Sequence, residues 1–127
     1  MPVGYKKKIP LLGQISAGQP VFVVENIEGY TEVDEEKIDY ALRVKGNSMI
    51  GAGILEGSIV YVQKDADIEN GDIAVVMVDN ENATIKRFYR YNGSIVLRPE
   101  NPSLKEQVYN PKDVVVLGKV KAAKIVF

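Results

Sequence analysis

From Ser58 onward the chain is a succession of short β-branched runs broken by turn residues. This punctuation limits its fold more than any other feature. Ser58-Ile59-Val60-Tyr61-Val62-Gln63 leads to a polar turn at 64–71 and then to the run 72–79. Asn80-Glu81-Asn82 reads as a hairpin turn into 83–90, and Tyr91-Asn92-Gly93 as another into 94–98, because Asn-Gly between alternating apolar residues is a strong hairpin signal. Pro99-Glu100-Asn101-Pro102-Ser103 reads as a loop, and Pro111-Lys112-Asp113 precedes a last apolar segment, 114–127. With turns about every 8–12 residues, no heptads and no fixed-period repeat, the pattern predicts a mainly β fold of rolled antiparallel sheets or a partial barrel.

The first half is less regular. Residues 1–8 carry Pro2, Gly4 and three successive lysines, and read as a flexible lead-in or linker remnant before a domain spanning 9–127. Ile9-Pro10-Leu11-Leu12-Gly13-Gln14-Ile15 is apolar but interrupted by proline and glycine, so a strand there is short or at an edge. Ser16-Ala17-Gly18-Gln19-Pro20 reads as a loop, Val21-Phe22-Val23-Val24 as another β-branched run, and 25–30 as a connection with Gly29 as its turn residue. The acidic stretch 31–39 offers Asp34 as the N-cap of one or two helical turns through Ile38, the most helix expected anywhere. Tyr40-Ala41-Leu42-Arg43-Val44-Lys45 reads as a strand. It runs into 46–57, where Gly46, Gly51, Gly53 and Gly57 suggest an irregular, closely approached backbone.

At 127 residues the chain fits one domain. Its 46% apolar content is ordinary for a globular protein, and a net charge of −1 gives no general attraction to nucleic acid or an anionic membrane. The longest apolar run, Ile73-Ala74-Val75-Val76-Met77-Val78, is far too short to cross a bilayer, and no stretch resembles a signal peptide. No cysteine is present, which rules out disulfides, thiolate metal sites and a cysteine nucleophile and suits a reducing cytoplasm. No histidine is present either, so a Ser-His-Asp triad and histidine-ligated metals are excluded. Any hydrolytic chemistry needs lysine, carboxylate or tyrosine as its base. No cofactor is expected: phosphate-binding glycine motifs and calcium-loop spacing are both lacking, and the carboxylates of 32–39 read as a solvated face.

Three stretches carry chemistry if read together. Ser48, in Gly46-Asn47-Ser48-Met49, is turn punctuation or a nucleophile, and the tetrapeptide alone does not decide. Lys86 lies in alternating sequence with Thr84 and Phe88 on its face and Ile85 and Arg87 on the other. It is a solvated strand charge, or a base if burial beside Phe88 neutralises it. Ser16-Ala17-Gly18 is a plain loop or, being small and flexible between Pro10 and Pro20, a segment able to enter a narrow cleft.

Four stretches in order, Gly13-Gln14-Ile15-Ser16-Ala17-Gly18-Gln19-Pro20, Leu42-Arg43-Val44-Lys45-Gly46-Asn47-Ser48-Met49, Gly71-Asp72-Ile73-Ala74-Val75-Val76 and Thr84-Ile85-Lys86-Arg87, resemble the self-cleaving C-terminal domain of LexA-type repressors. Arg98-Pro99-Glu100-Asn101-Pro102 adds a fifth. Phage lambda-type repressors and UmuD-type polymerase accessory proteins share that family. The resemblance implies a serine endopeptidase with a Ser-Lys dyad, Ser48 as nucleophile and Lys86 as base. It implies oxyanion donors at the backbone N–H groups of Asn47 and Ser48, and a cut in its own chain between Ala17 and Gly18, within the cleavage segment 13–20. It further implies a homodimer, to which 114–127 could contribute, and a RecA–single-stranded-DNA filament as co-protease in the SOS response to DNA damage. Nothing before Ile9 could form the family's helix-turn-helix, so contact with an operator is expected only through such a domain outside this sequence. An excised repressor domain is therefore the expected reading, with a UmuD-like accessory protein or a non-catalytic dimerisation module as alternatives. A signal-peptidase reading shares the Ser-Lys logic but needs a membrane anchor, and none is expected.

Overall fold

The computed structural model describes residues 6–127. Its strands are β1 (Lys7–Leu12), β2 (Ile27–Val33), β3 (Tyr40–Arg43), β4 (Ile59–Gln63), β5 (Ile73–Val78), β6 (Thr84–Tyr91), β7 (Ser94–Arg98), β8 (Gln107–Tyr109) and β9 (Val114–Lys124). They form one sheet in the order β2-β1-β3-β4-β9-β5-β6-β7-β8. The fold is mainly β, as the turn spacing predicts. One pairing departs from the antiparallel expectation: β1 and β3 run parallel, with Leu11 opposite Ala41 and Leu12 opposite Leu42. After β2 folds back antiparallel along one side of β1, the connection 34–39 brings the chain to the other side of β1, heading in β1's direction.

β9 makes the sheet turn a corner. Its first half pairs with β5, from Val78↔Val114 to Ala74↔Lys119, and its second half with β4, from Gln63↔Lys119 to Ile59↔Lys124. A register shift interrupts each ladder, and such irregularities bend a strand and raise its local twist. Gly118 sits at the hand-over with φ +154, where a Cβ would lie 2.4 Å from Val62 Cγ1 and 2.9 Å from the Gln63 carbonyl oxygen. The corner folds the two flanks onto each other. Leu12, Leu42, Val60 and Val62 from one flank and Val75 and Ile85 from the other therefore share one buried cluster with Ile15 and Met49. A second cluster centres on fully buried Phe88 with Ala74, Val76 and Leu97.

Several local expectations are corrected. Val21–Val24 forms no strand: the Asn26 side chain donates to the Val21 carbonyl oxygen at 2.9 Å, Val24–Asn26 is a 3-10 turn, and Val24 is exposed. The strand is β2, whose half-buried and exposed residues alternate from Ile27 to Val33 and which reads as a polar connection because its outer face is solvated. No helix follows Asp34. Lys7 Nζ donates to the Glu36 carbonyl oxygen and pairs with Asp39, drawing that stretch across β1 as a turn. Three 3-10 turns occur among the described residues, at Val24–Asn26, Ile50–Ala52 and Pro111–Asp113, rather than one or two near Ile38. Of the expected lead-in, residues 1–5 lie outside the described residues, while Lys7 and Lys8 begin β1 opposite Val33 and Glu32.

Candidate active site

Ser48 stands on the connection from β3 to β4, and Lys86 on β6. The curl of the sheet brings them together, with Lys86 Nζ 3.1 Å from Ser48 Oγ. Period-two alternation puts Thr84 on the same face of β6, and its hydroxyl accepts from the same amine at 2.8 Å. Lys86 is half-buried and makes no ion pair among the described residues. Burial, with no carboxylate to offset it, holds the amine below its ordinary value.

The Ser48 turn is fixed from below and from the side. Met49 is 1% exposed and packs into the shared cluster beneath the serine, and its carbonyl oxygen accepts from Ala52 and Ile54 N–H at 3.0 and 3.2 Å. From the loop after β7, Glu100 N–H donates to the Ser48 carbonyl oxygen at 2.8 Å and Asn101 Nδ2 to the Asn47 carbonyl oxygen at 2.9 Å. In return, Gly51 N–H donates to the Glu100 carbonyl oxygen at 2.6 Å, an approach so close that a Cβ on Gly51 would sit 2.7 Å from that oxygen. Arg87, on the opposite face of β6 from Lys86, pairs with the Glu100 carboxylate at 2.8 Å and tethers the same loop. The N–H groups of Asn47 and Ser48 meet no acceptor among the described residues, so they are available to a ligand oxygen.

The segment 13–20 borders this site. Gly13, Gln14 and Ile15 line a cleft of about 90 Å³ together with Ser48, Asn82 and Thr84. Ile15 is buried beside Met49 and Ile85, its carbonyl oxygen accepts from Ala83 N–H at 3.0 Å, and Ala17 N–H donates to Asn82 Oδ1 at 3.2 Å. At Gly18 the chain turns with φ +78 and is exposed. Buried Asn26 closes the base of this loop, accepting from the Ser16 hydroxyl and donating to the Val21 carbonyl oxygen. No hydrogen bond joins Ala17 or Gly18 to Ser48 or Lys86 among the described residues. Thr84 had a sequence signal in its spacing from Lys86; Asn26, Asn82 and Asn101 had none beyond being turn-type residues.

No group of three acidic, histidine or cysteine side chains able to hold a metal occurs among the described residues, and no helix there is long and apolar enough to cross a membrane. A half-buried amine with no ion pair, held against a serine hydroxyl, can deprotonate that hydroxyl once it is neutral, without histidine or metal. The chain belongs to the Peptidase S24-like family, which it matches over residues 10–121. Within it, the chain is similar to LexA repressors. It is 43% identical over 116 residues to that of Desulfitobacterium hafniense, covering 88% of this chain and 55% of the relative. It is 43% identical over 118 residues to that of Lacticaseibacillus casei, at 88% and 55%. LexA repressor 1 of Geobacter sulfurreducens is 45% identical over 117 residues, at 88% and 58%. The chain thus spans a little over half the length of these curated relatives and is a LexA-type domain.

Proposed function

We propose that this domain is a serine endopeptidase that cuts its own Ala17–Gly18 bond, with Ser48 as nucleophile and Lys86 as general base and then acid. The carrying observation is the 3.1 Å contact between Lys86 Nζ and Ser48 Oγ, with burial lowering the amine's proton affinity. Once neutral, the amine accepts the Ser48 proton while still donating to Thr84. Ser48 Oγ adds to the Ala17 carbonyl carbon, and the oxyanion takes hydrogen bonds from Asn47 and Ser48 N–H. The Lys86 ammonium then gives its proton to the Gly18 nitrogen as the C–N bond breaks. Water, deprotonated by the same amine, releases Ala17 from the Ser48 ester. Tethering supplies the substrate at high effective concentration, so a slow dyad is enough.

The resemblance to LexA repressors supports reading this reaction as that of a cytoplasmic repressor in the SOS response. Cutting there separates the homodimerising domain from a helix-turn-helix domain that holds the operator, and a RecA–single-stranded-DNA filament promotes the cleavable state. Incubating the purified chain from pH 7 to 10 should yield a cut after Ala17 that accelerates as Lys86 loses its proton, and Ser48→Ala should abolish it. A chain uncut at every pH, or equal cutting by Ser48→Ala, overturns the proposal in favour of a non-catalytic module.

A further inference from the structure

We propose that the Asn82 carboxamide is the receptor for the Ala17 N–H and sets which peptide bond is presented for cleavage; this rests on the reading of Ala17–Gly18 as the bond that is cut. The segment before Ala17 lies along the start of β6 as an added strand would, with Ala83 N–H donating to the Ile15 carbonyl oxygen at 3.0 Å. One backbone bond does not fix register, because sliding a strand by two residues restores the same bond and the same side-chain face. The second point of contact removes that freedom. Asn82 Oδ1 takes the Ala17 N–H at 3.2 Å, just where the chain leaves the strand direction at Gly18, with φ +78. A side chain does this because Asn82 lies in the β5–β6 turn, before the β6 ladder begins at Thr84. Asn82 also lines both the cleft that contains Ser48 and a pocket that contains Lys86, so the side chain that holds the Ala17 N–H borders the surroundings of both dyad members.

Asn82→Leu keeps the size of the side chain and deletes the acceptor, whereas Asn82→Asp retains an acceptor oxygen. Self-cleavage of the intact chain, followed on each variant's alkaline plateau, should slow by roughly five- to tenfold in Asn82→Leu, the scale of one net hydrogen bond. It should return most of the way in Asn82→Asp. On the same alkaline plateau, where Lys86 is neutral, Ser48 labelling by a fluorophosphonate should be retained in both variants, so that slower cutting reads the presentation of Ala17 rather than loss of the serine. A wild-type chain that does not cut itself sinks the self-cleavage reading instead. If the wild type cuts and Asn82→Leu cuts as fast or faster, or loses Ser48 labelling along with cutting, Asn82 is not the register receptor.

Discussion

Asn101 Nδ2 donates to the Asn47 carbonyl oxygen across 2.9 Å, so a loop from the far flank of the sheet holds the peptide unit that joins Asn47 to Ser48. In a trans peptide the N–H points away from the C=O. Fixing the Asn47 carbonyl outward therefore aims the Ser48 N–H in the opposite direction. Asn101 Oδ1 meanwhile accepts from Ser103 N–H at 2.9 Å and keeps its own loop in shape. Asn101→Asp preserves that second bond and turns an oxygen toward the Asn47 carbonyl. Self-cleavage of this variant, compared with wild type on the alkaline plateau, should fall by about tenfold or more, with its circular dichroism unchanged.

Lys86 makes stability depend on pH in a direction opposite to that of a salt-bridged lysine. Burial lowers its value in the folded state, so between that value and the unfolded one, about 10.4, the unfolded chain binds more protons. The contribution of this group to stability rises with pH across that window, and below it the fold carries a desolvated ammonium. Lys86→Met, close in volume, removes the charge. Urea unfolding of the two proteins should show the variant gaining most relative to wild type at pH 7, with the gain shrinking toward pH 10. A difference independent of pH would mean that the amine is not desolvated.

Gly118 permits the corner in β9, and a methyl group there would press on Val62 Cγ1 and the Gln63 carbonyl oxygen. Gly118→Ala should cost about 2–3 kcal/mol in chemical denaturation, the scale of core overpacking. Because the corner also sets the distance between the β3 and β6 flanks, Ser48 labelling should slow in the same variant even where it remains folded.

The back half of the fold was legible because its strands alternate cleanly and its turns use Asn-Gly, Asp and Pro: β4 to β7 fall within a residue or two of the runs read from sequence. The front half was not, because what decides it is tertiary. β2 holds together through β1, with Glu28, Tyr30 and Glu32 on its exposed face, and Val21–Val24 is denied a partner by the side chain of Asn26. The pairing of Ser48 with Lys86 was legible only through the resemblance to LexA-type repressors, since the absence of histidine by itself left carboxylate and tyrosine open beside lysine. It became a distance only when β9 folded one flank over the other. The asparagines around it were silent because a turn asparagine that bonds its own backbone and one that reaches another loop look alike in sequence.

β1 runs into the segment 13–20, where the cut is proposed, and is held on both sides, by β2 along six residue pairs and by β3 along two. A break after Ala17 would therefore split the polypeptide without parting it. The upstream piece would stay clasped in the sheet, and its departure would be a separate, slower event in which a strand peels from between two neighbours. Two clocks would then run: one seen on a denaturing gel as the bond is lost, the other by native mass or size exclusion as the pieces separate. If this domain serves as a switch, the first clock would set when the signal is received and the second how long the old state lingers.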